Sequence, residues 1–185
     1  MSRLSLFPGP RRPLWSCRVF LGGPPGNSAP DARVAGYRAA LAAHGINTGS
    51  EDVIDCGLGR GAGYRSMAEL LTRRSDFTAV FAGDDMVAAG ALRAVADAGL
   101  RVPDDISVVG YNDIPLAQDF NPPLTTVRTR AEELGRAAVR LALRDPDDSS
   151  SSIRHVLGTH IVVRDSVGAP AAHRQPHTVG GLAPA

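Results

Sequence analysis

Residues 77–113 read FTAVFAGDDMVAAGALRAVADAGLRVPDDISVVGYND, and this stretch decides the fold. Phe77–Ala82 is a short apolar run stopped by Gly83 and Asp84. Met86, Ala89, Leu92 and Val95 then recur at helical spacing until Gly99 closes the pattern. After the loop Leu100–Asp104, Ile106–Gly110 is apolar and β-branched, as in a strand buried on both faces. Strand, helix and second buried strand in succession specify a parallel pair joined by a right-handed crossover.

Upstream the same unit repeats. Arg18–Gly23 predicts a strand, Pro24, Pro25 and Gly26 break the chain, and a helix opens near Ser28 with Val34, Tyr37, Ala40 and Leu41 on one face, ending at His44 and Gly45. Asp52–Cys56 predicts the next strand, and after a glycine-rich loop Tyr64, Met67, Leu70 and Leu71 mark its helix. Downstream, Leu124–Val127 leads into a long helix in which Leu134, Ala137, Ala138, Leu141 and Ala142 form a predicted buried stripe. Ile153–Val163 can supply a last strand or hairpin. The fold class is therefore α/β, a doubly wound parallel sheet. Residues 1–17 lack periodicity and read as a disordered lead. Residues 145–152 read as a solvated linker, and residues 167–185 have the composition of a disordered tail.

The chain has 185 residues, enough for one substantial core. Its 20 basic and 19 acidic side chains nearly cancel, which argues against a compact basic DNA-binding module. Every basic residue is arginine, so neither Schiff-base chemistry nor a phosphate loop that needs lysine is available. Cys17 and Cys56 lie far apart in a chain that needs no staple, so reduced thiols and a cytoplasmic location are expected, with no metal site. The N-terminus lacks a continuous apolar signal core, and no apolar run approaches the roughly 20 residues needed to span a bilayer, so export and membrane insertion are not expected.

In an open parallel sheet, ligands bind beyond the carboxyl ends of the strands. That rule nominates the loops at residues 22–27, 57–63, 83–85 and 111–113. The polar groups gathered there (Asn27, Arg33, Arg60, Asp84, Asp85, Asn112 and Asp113) suit a hydroxyl-rich ligand. Each has a plainer role: Asp84 as a helix N-cap, Arg33 as a surface cation, Asn112 and Asp113 as turn formers. His155 and His160, five apart on one strand pattern, face opposite ways and do not share a metal. Gly57–Ala62 also satisfies the G-x-G-x-x-A dinucleotide fingerprint, although that motif belongs to the first strand of its unit.

The 77–113 stretch, followed by PPLTTVR and ELGRAAVRLAL and preceded by FLGGP and ARVAGYRAAL, closely resembles the effector-binding core of LacI/GalR-type bacterial transcriptional regulators from about Val19 to Ser166. The resemblance implies a periplasmic-binding-protein-like fold of two α/β lobes hinged around a small-molecule site, behind an N-terminal helix-turn-helix. On that pattern residues 18–123 and 153–166 correspond to the C-terminal lobe and 124–145 to a remnant of the other, so the incomplete lobe would leave the apolar stripe of the helix Ala131–Leu143 exposed. No helix-turn-helix pattern precedes Val19, so a truncated chain that contacts DNA only through a segment it lacks is expected.

The implied effector contacts are Arg33, Leu58, Gly83, Asp84, Asn112 and Asp113. Arg33, in ARVAGY, matches an arginine that grips a sugar hydroxyl or an anionic group. Leu58 falls where many members place an aromatic. Gly83 replaces the asparagine of the usual N-D pair while Asp84 keeps its aspartate, and Asn112 replaces the first aspartate of a G-[FY]-D-D turn while Asp113 keeps the second. The implied protein is no enzyme, needs no cofactor, forms a homodimer and responds to a small effector, a saccharide. A transporter's sugar-binding protein and a nucleotide-binding enzyme fragment are the alternatives.

Overall fold

The computed structural model describes residues 18–22, 28–74, 76–143 and 156–169. The expected lead over 1–17, the linker over 145–152, His155 and the tail beyond 169 lie outside them.

Six strands form one sheet: β1 (Arg18–Gly22), β2 (Val53–Asp55), β3 (Ala79–Ala82), β4 (Ser107–Asn112), β5 (Thr125–Arg128) and β6 (His160–Val162). Their order is β2-β1-β3-β4-β5-β6, parallel throughout except for the antiparallel β5–β6 pair. The chain winds outward from β1 to β2, returns across β1 to β3 and continues the other way. The winding therefore reverses between β1 and β3, and the crevice that such a reversal leaves lies at the carboxyl ends of these two strands.

Four helices accompany the sheet: α1 (Ser28–Ala43), α2 (Arg60–Arg73), α3 (Asp85–Asp97) and α4 (Ala131–Ala142). Right-handed crossovers place α2 and α3 side by side on one face and α1 on the other. The strands divide their side chains accordingly. Val19, Leu21, Val80, Ala82 and Val108 join Met67, Leu71, Val87, Ala91 and Val95 of α2 and α3 in the main core. Phe20 points the other way, its ring 5.5 Å from that of Tyr37 on α1 and 5.1 Å from that of Phe81. The pair α2–α3 is set by two glycines. A Cβ on Gly90 would stand 2.5 Å from the Tyr64 backbone N, and one on Gly63 2.8 Å from the Val87 backbone Cα. The two backbones therefore touch where neither residue has a side chain.

Periodicity alone buries the stripe on α4, whereas the resemblance leaves it exposed, and the second expectation holds. The stripe on α4 is not buried: no residue of that helix is, and Leu134 remains 57% exposed. The 3.6-residue period is present, but no described element covers it. Beyond residue 123 the chain continues in the same sheet: β5 pairs with β4 from Val109↔Thr125 to Asn112↔Arg128 and Leu124 is fully buried. After β6 the chain returns along β4 and β5: the buried Ser166 hydroxyl donates to the Val108 carbonyl (2.6 Å) and accepts from Thr125 N (2.8 Å).

Candidate functional site

The carboxyl edge of the sheet assembles most of the nominated residues. Arg33 rises from the second turn of α1, and its guanidinium donates to the Gly83 carbonyl at the end of β3 (2.7 Å). The same guanidinium lies over the Tyr111 ring at the end of β4, 4.0 Å from the centroid. These two restraints fix the fork at the carboxyl ends of β3 and β4, beside the winding reversal, and Arg33 forms no ion pair among the described residues, so its remaining N–H groups are available to a ligand. Tyr111, Phe81, Val127 and Thr159 continue as the floor of a concavity of about 590 Å³ walled by α1. Apolar walls with one fixed polar fork suit a small organic ligand better than an ion.

Gly83 contributes backbone alone: its N–H donates to the Leu21 carbonyl (2.7 Å) and its carbonyl receives Arg33. Asp84 takes its plainer role, capping α3 by accepting from Val87 N (2.8 Å). Asn112 and Asp113 both hold left-handed backbone, φ 114° and 57°, at the end of β4. Asp113 is committed to the protein, its carboxylate held by Arg164 (2.7 Å) and Arg128. Burial works to raise its pKa, yet the two guanidinium groups outweigh it and hold the carboxyl below its ordinary value. Leu58 stands apart, 68% exposed in the loop before α2.

One residue of this edge escaped sequence reasoning as a structural element. The pattern assigned the functional aspartate to Asp84, but the buried carboxylate is its neighbour Asp85, 0% exposed. It accepts from Thr126 Oγ1 (2.5 Å) and from Ile114 N (2.8 Å). Burial pushes its pKa up, against the hydrogen bonds from Thr126 and from the Ile114 and Asp113 backbone. The available signal was the doublet itself: one aspartate caps the helix, so the next must face the sheet. Tyr111 was likewise missed as a partner of Arg33, and no local pattern announces that contact.

Cys56 closes the β1–β2 side of the edge. Its thiol donates to the Gly22 carbonyl (2.6 Å), and burial, reinforced by Asp84 and Asp55, raises its pKa to about 11. It stays a protonated core thiol. The glycine-rich loop serves mainly to start α2 with Gly59 at φ 83°. Among the described residues no three His, Cys, Asp or Glu side chains gather to hold a metal ion, and no helix is long and apolar enough to cross a membrane.

Comparison with known proteins places this geometry. Residues 18–167 match the family model described as a periplasmic binding protein-like domain. The HTH-type transcriptional regulator CelR of Thermobifida fusca is 38% identical over 148 residues, 79% of this chain and 43% of that protein. A transcriptional regulator CelR–cellobiose complex superposes with a TM-score of 0.78 at 37% identity, covering 82% of this chain and 46% of the other. The Lac repressor dimer bound to operator and the anti-inducer ONPF does so with a TM-score of 0.76 at 28% identity, covering 83% and 53%. The chain thus spans about two fifths of the length of the curated relatives it matches.

Proposed function

As a member of the LacI/GalR-type regulator family, to which its periplasmic-binding-protein-like domain together with its matches to LacI-family regulators assigns it, this chain is, we propose, the effector-sensing part of a transcriptional regulator, and its effector is a saccharide bound at the carboxyl edge of the sheet. The relatives are transcriptional regulators, not enzymes, and that favours this reading over a transporter component or a nucleotide-binding enzyme. The observation that carries it is the Arg33 fork, fixed at the carboxyl ends of β3 and β4 by the Gly83 carbonyl and the Tyr111 ring.

A sugar offers adjacent hydroxyls and an apolar ring face. The fork can donate two parallel hydrogen bonds to a diol, while Tyr111 and Phe81 supply apolar surface below it. Asn112 and Asp84 border the same edge. Effector binding then acts on DNA by favouring one lobe arrangement, a coupling typically worth about 1–3 kcal/mol. The outer face of α3, where Met86 and Ala89 meet Leu116 and Phe120, is the surface we assign to pairing with a second copy.

Nuclear magnetic resonance of the labelled chain titrated with cellobiose, glucose and ribose at millimolar concentration tests the reading. Shifts gathered at Arg33, Gly83, Tyr111 and Asn112 are expected with at least one sugar. No shift with any of them, or shifts confined to other surfaces, would overturn it.

A further inference from the structure

We propose that Asp85 is the positioning residue of the site: buried beneath it, it holds the Asn112–Asp113 turn in its left-handed conformation and so sets effector affinity without touching the effector. The inference rests on the effector reading for its second half only.

The geometry runs through one carboxyl group. Asp85 is the first residue of α3, directly after its cap, so its side chain turns back toward the sheet. Oδ2 receives the Ile114 N–H at 2.8 Å, and Oδ1 receives the Thr126 hydroxyl at 2.5 Å. Three elements therefore meet on two oxygens: the start of α3, the exit of β4 and the middle of β5. Gly110 leaves the space for this. A Cβ there would lie 2.7 Å from Leu124 Cδ2 and closer still to Asp85 Oδ1. The main chain of β4 can thus approach the carboxyl only because residue 110 has no side chain.

What the carboxyl holds is a strained turn. Asn112 and Asp113 follow one another at φ 114° and 57°; the left-handed region is uncommon for non-glycine residues, Asn and Asp enter it most readily, and two in succession with one at φ 114° still need holding. The Ile114 N–H immediately after them is the last anchor of that path, and its acceptor is Asp85. The turn aims Asp113 at Arg128 and Arg164, and it sets Asn112 on the edge beside Tyr111 and hence beside Arg33. Without an acceptor for Ile114 N, a partly buried donor is left unpaired and the turn keeps only the hold of Arg128 and Arg164 on Asp113 against its relaxation.

The hydrogen bonds from β5 and from the turn have different consequences, which makes the role separable from general stability. The Thr126 contact ties Asp85 to β5; the Ile114 contact ties it to the turn. Strong intraresidue HN–Hα cross-peaks at Asn112 and Asp113 report positive φ and are read alongside a cellobiose titration. Asp85→Asn keeps an amide oxygen for Ile114 N and is expected to retain both cross-peaks and an affinity near that of the parent chain. Thr126→Val is expected to lower the melting temperature and retain them too. Asp85→Leu keeps the branch at Cγ, is larger and offers no acceptor, and it should lose both cross-peaks and weaken cellobiose binding by about tenfold. Asp85→Ser, too short to reach Ile114 N, replaces it if the leucine variant does not fold.

Cross-peaks that persist in the folded leucine or serine variant overturn the proposal, as does a relaxed turn with unchanged affinity. If the parent chain binds no saccharide while the turn relaxes as stated, the effector reading fails and the hold of Asp85 on the turn stands.

Discussion

Replacing Gly90 by alanine tests the packing on which the site edge depends. In an isolated helix the substitution is favourable by about 1 kcal/mol, because alanine loses less backbone entropy than glycine. Here the added methyl would stand 2.5 Å from Tyr64 N and 2.9 Å from Gly63 C, and closer still to the Arg60 carbonyl. All three neighbours are backbone of α2, so no side-chain rotation relieves the overlap, and α2 and α3 must separate by roughly an ångström. The contacts of Met67, Leu71, Val87, Ala91 and Val95 loosen together. Overpacking of this kind costs about 3 kcal/mol at the upper end of its usual range, which leaves a net loss of about 2 kcal/mol after the helix gain. Gly36→Ala on α1 is the control, since nothing lies within 4 Å of the new methyl, and it should stabilise by about 0.5–1 kcal/mol. Urea unfolding with matched slopes reads both. Because α3 begins with Asp84 and Asp85, the shift should also weaken cellobiose binding. A Gly90→Ala chain as stable as the parent would refute the close-approach argument.

Other expectations follow from single side chains. Asp113→Asn removes the charge shared by Arg128 and Arg164 and should destabilise the fold by about 1–3 kcal/mol at neutral pH. Its folded pKa is depressed, so the stabilisation is full above the ordinary aspartate value of about 3.9 and is lost as the pH falls through the lower folded value, where parent and variant melts should converge. In a Cys17→Ser background, Cys56 should resist Ellman's reagent at pH 8 while folded, consistent with a thiol raised to about 11, and titrate as one thiol in urea; rapid labelling of the native chain would contradict its burial. Leu134→Ser should change stability by less than about 0.5 kcal/mol, because that side chain is already exposed, and a large loss in thermal melts would revive the buried-stripe reading.

The sheet was legible because alternation is a local property: each apolar run, glycine stop and helical period between Arg18 and Gly110 became the element it suggested. The same signal misread α4, since periodicity says that a face is apolar and not what covers it. Site residues were legible as a location, the carboxyl edge, because topology fixes that edge once the strands are parallel. Their roles were not. Asp84 and Asp85 are adjacent and chemically identical, yet one caps a helix and the other lies buried on Thr126, a residue 41 positions away. Asp113 belongs to two arginines that are also distant in sequence, and the Arg33–Tyr111 stack joins α1 to β4. Long-range partners of this kind leave no mark in a window of a few residues.

The central claim is that Arg33 is the ligand-gripping cation of a saccharide site. It is tested most directly by comparing Arg33→Ala with Arg38→Ala, an exposed arginine farther along the same helix, in cellobiose and ribose titrations followed at Tyr111 and Asn112. Loss of hydrogen bonds from a charged donor should weaken binding by about 1.5–3 kcal/mol, tenfold or more in Kd, in the first variant only. Equal affinity in the two variants would contradict the assignment and leave Arg33 as a residue that merely joins α1 to the ends of β3 and β4.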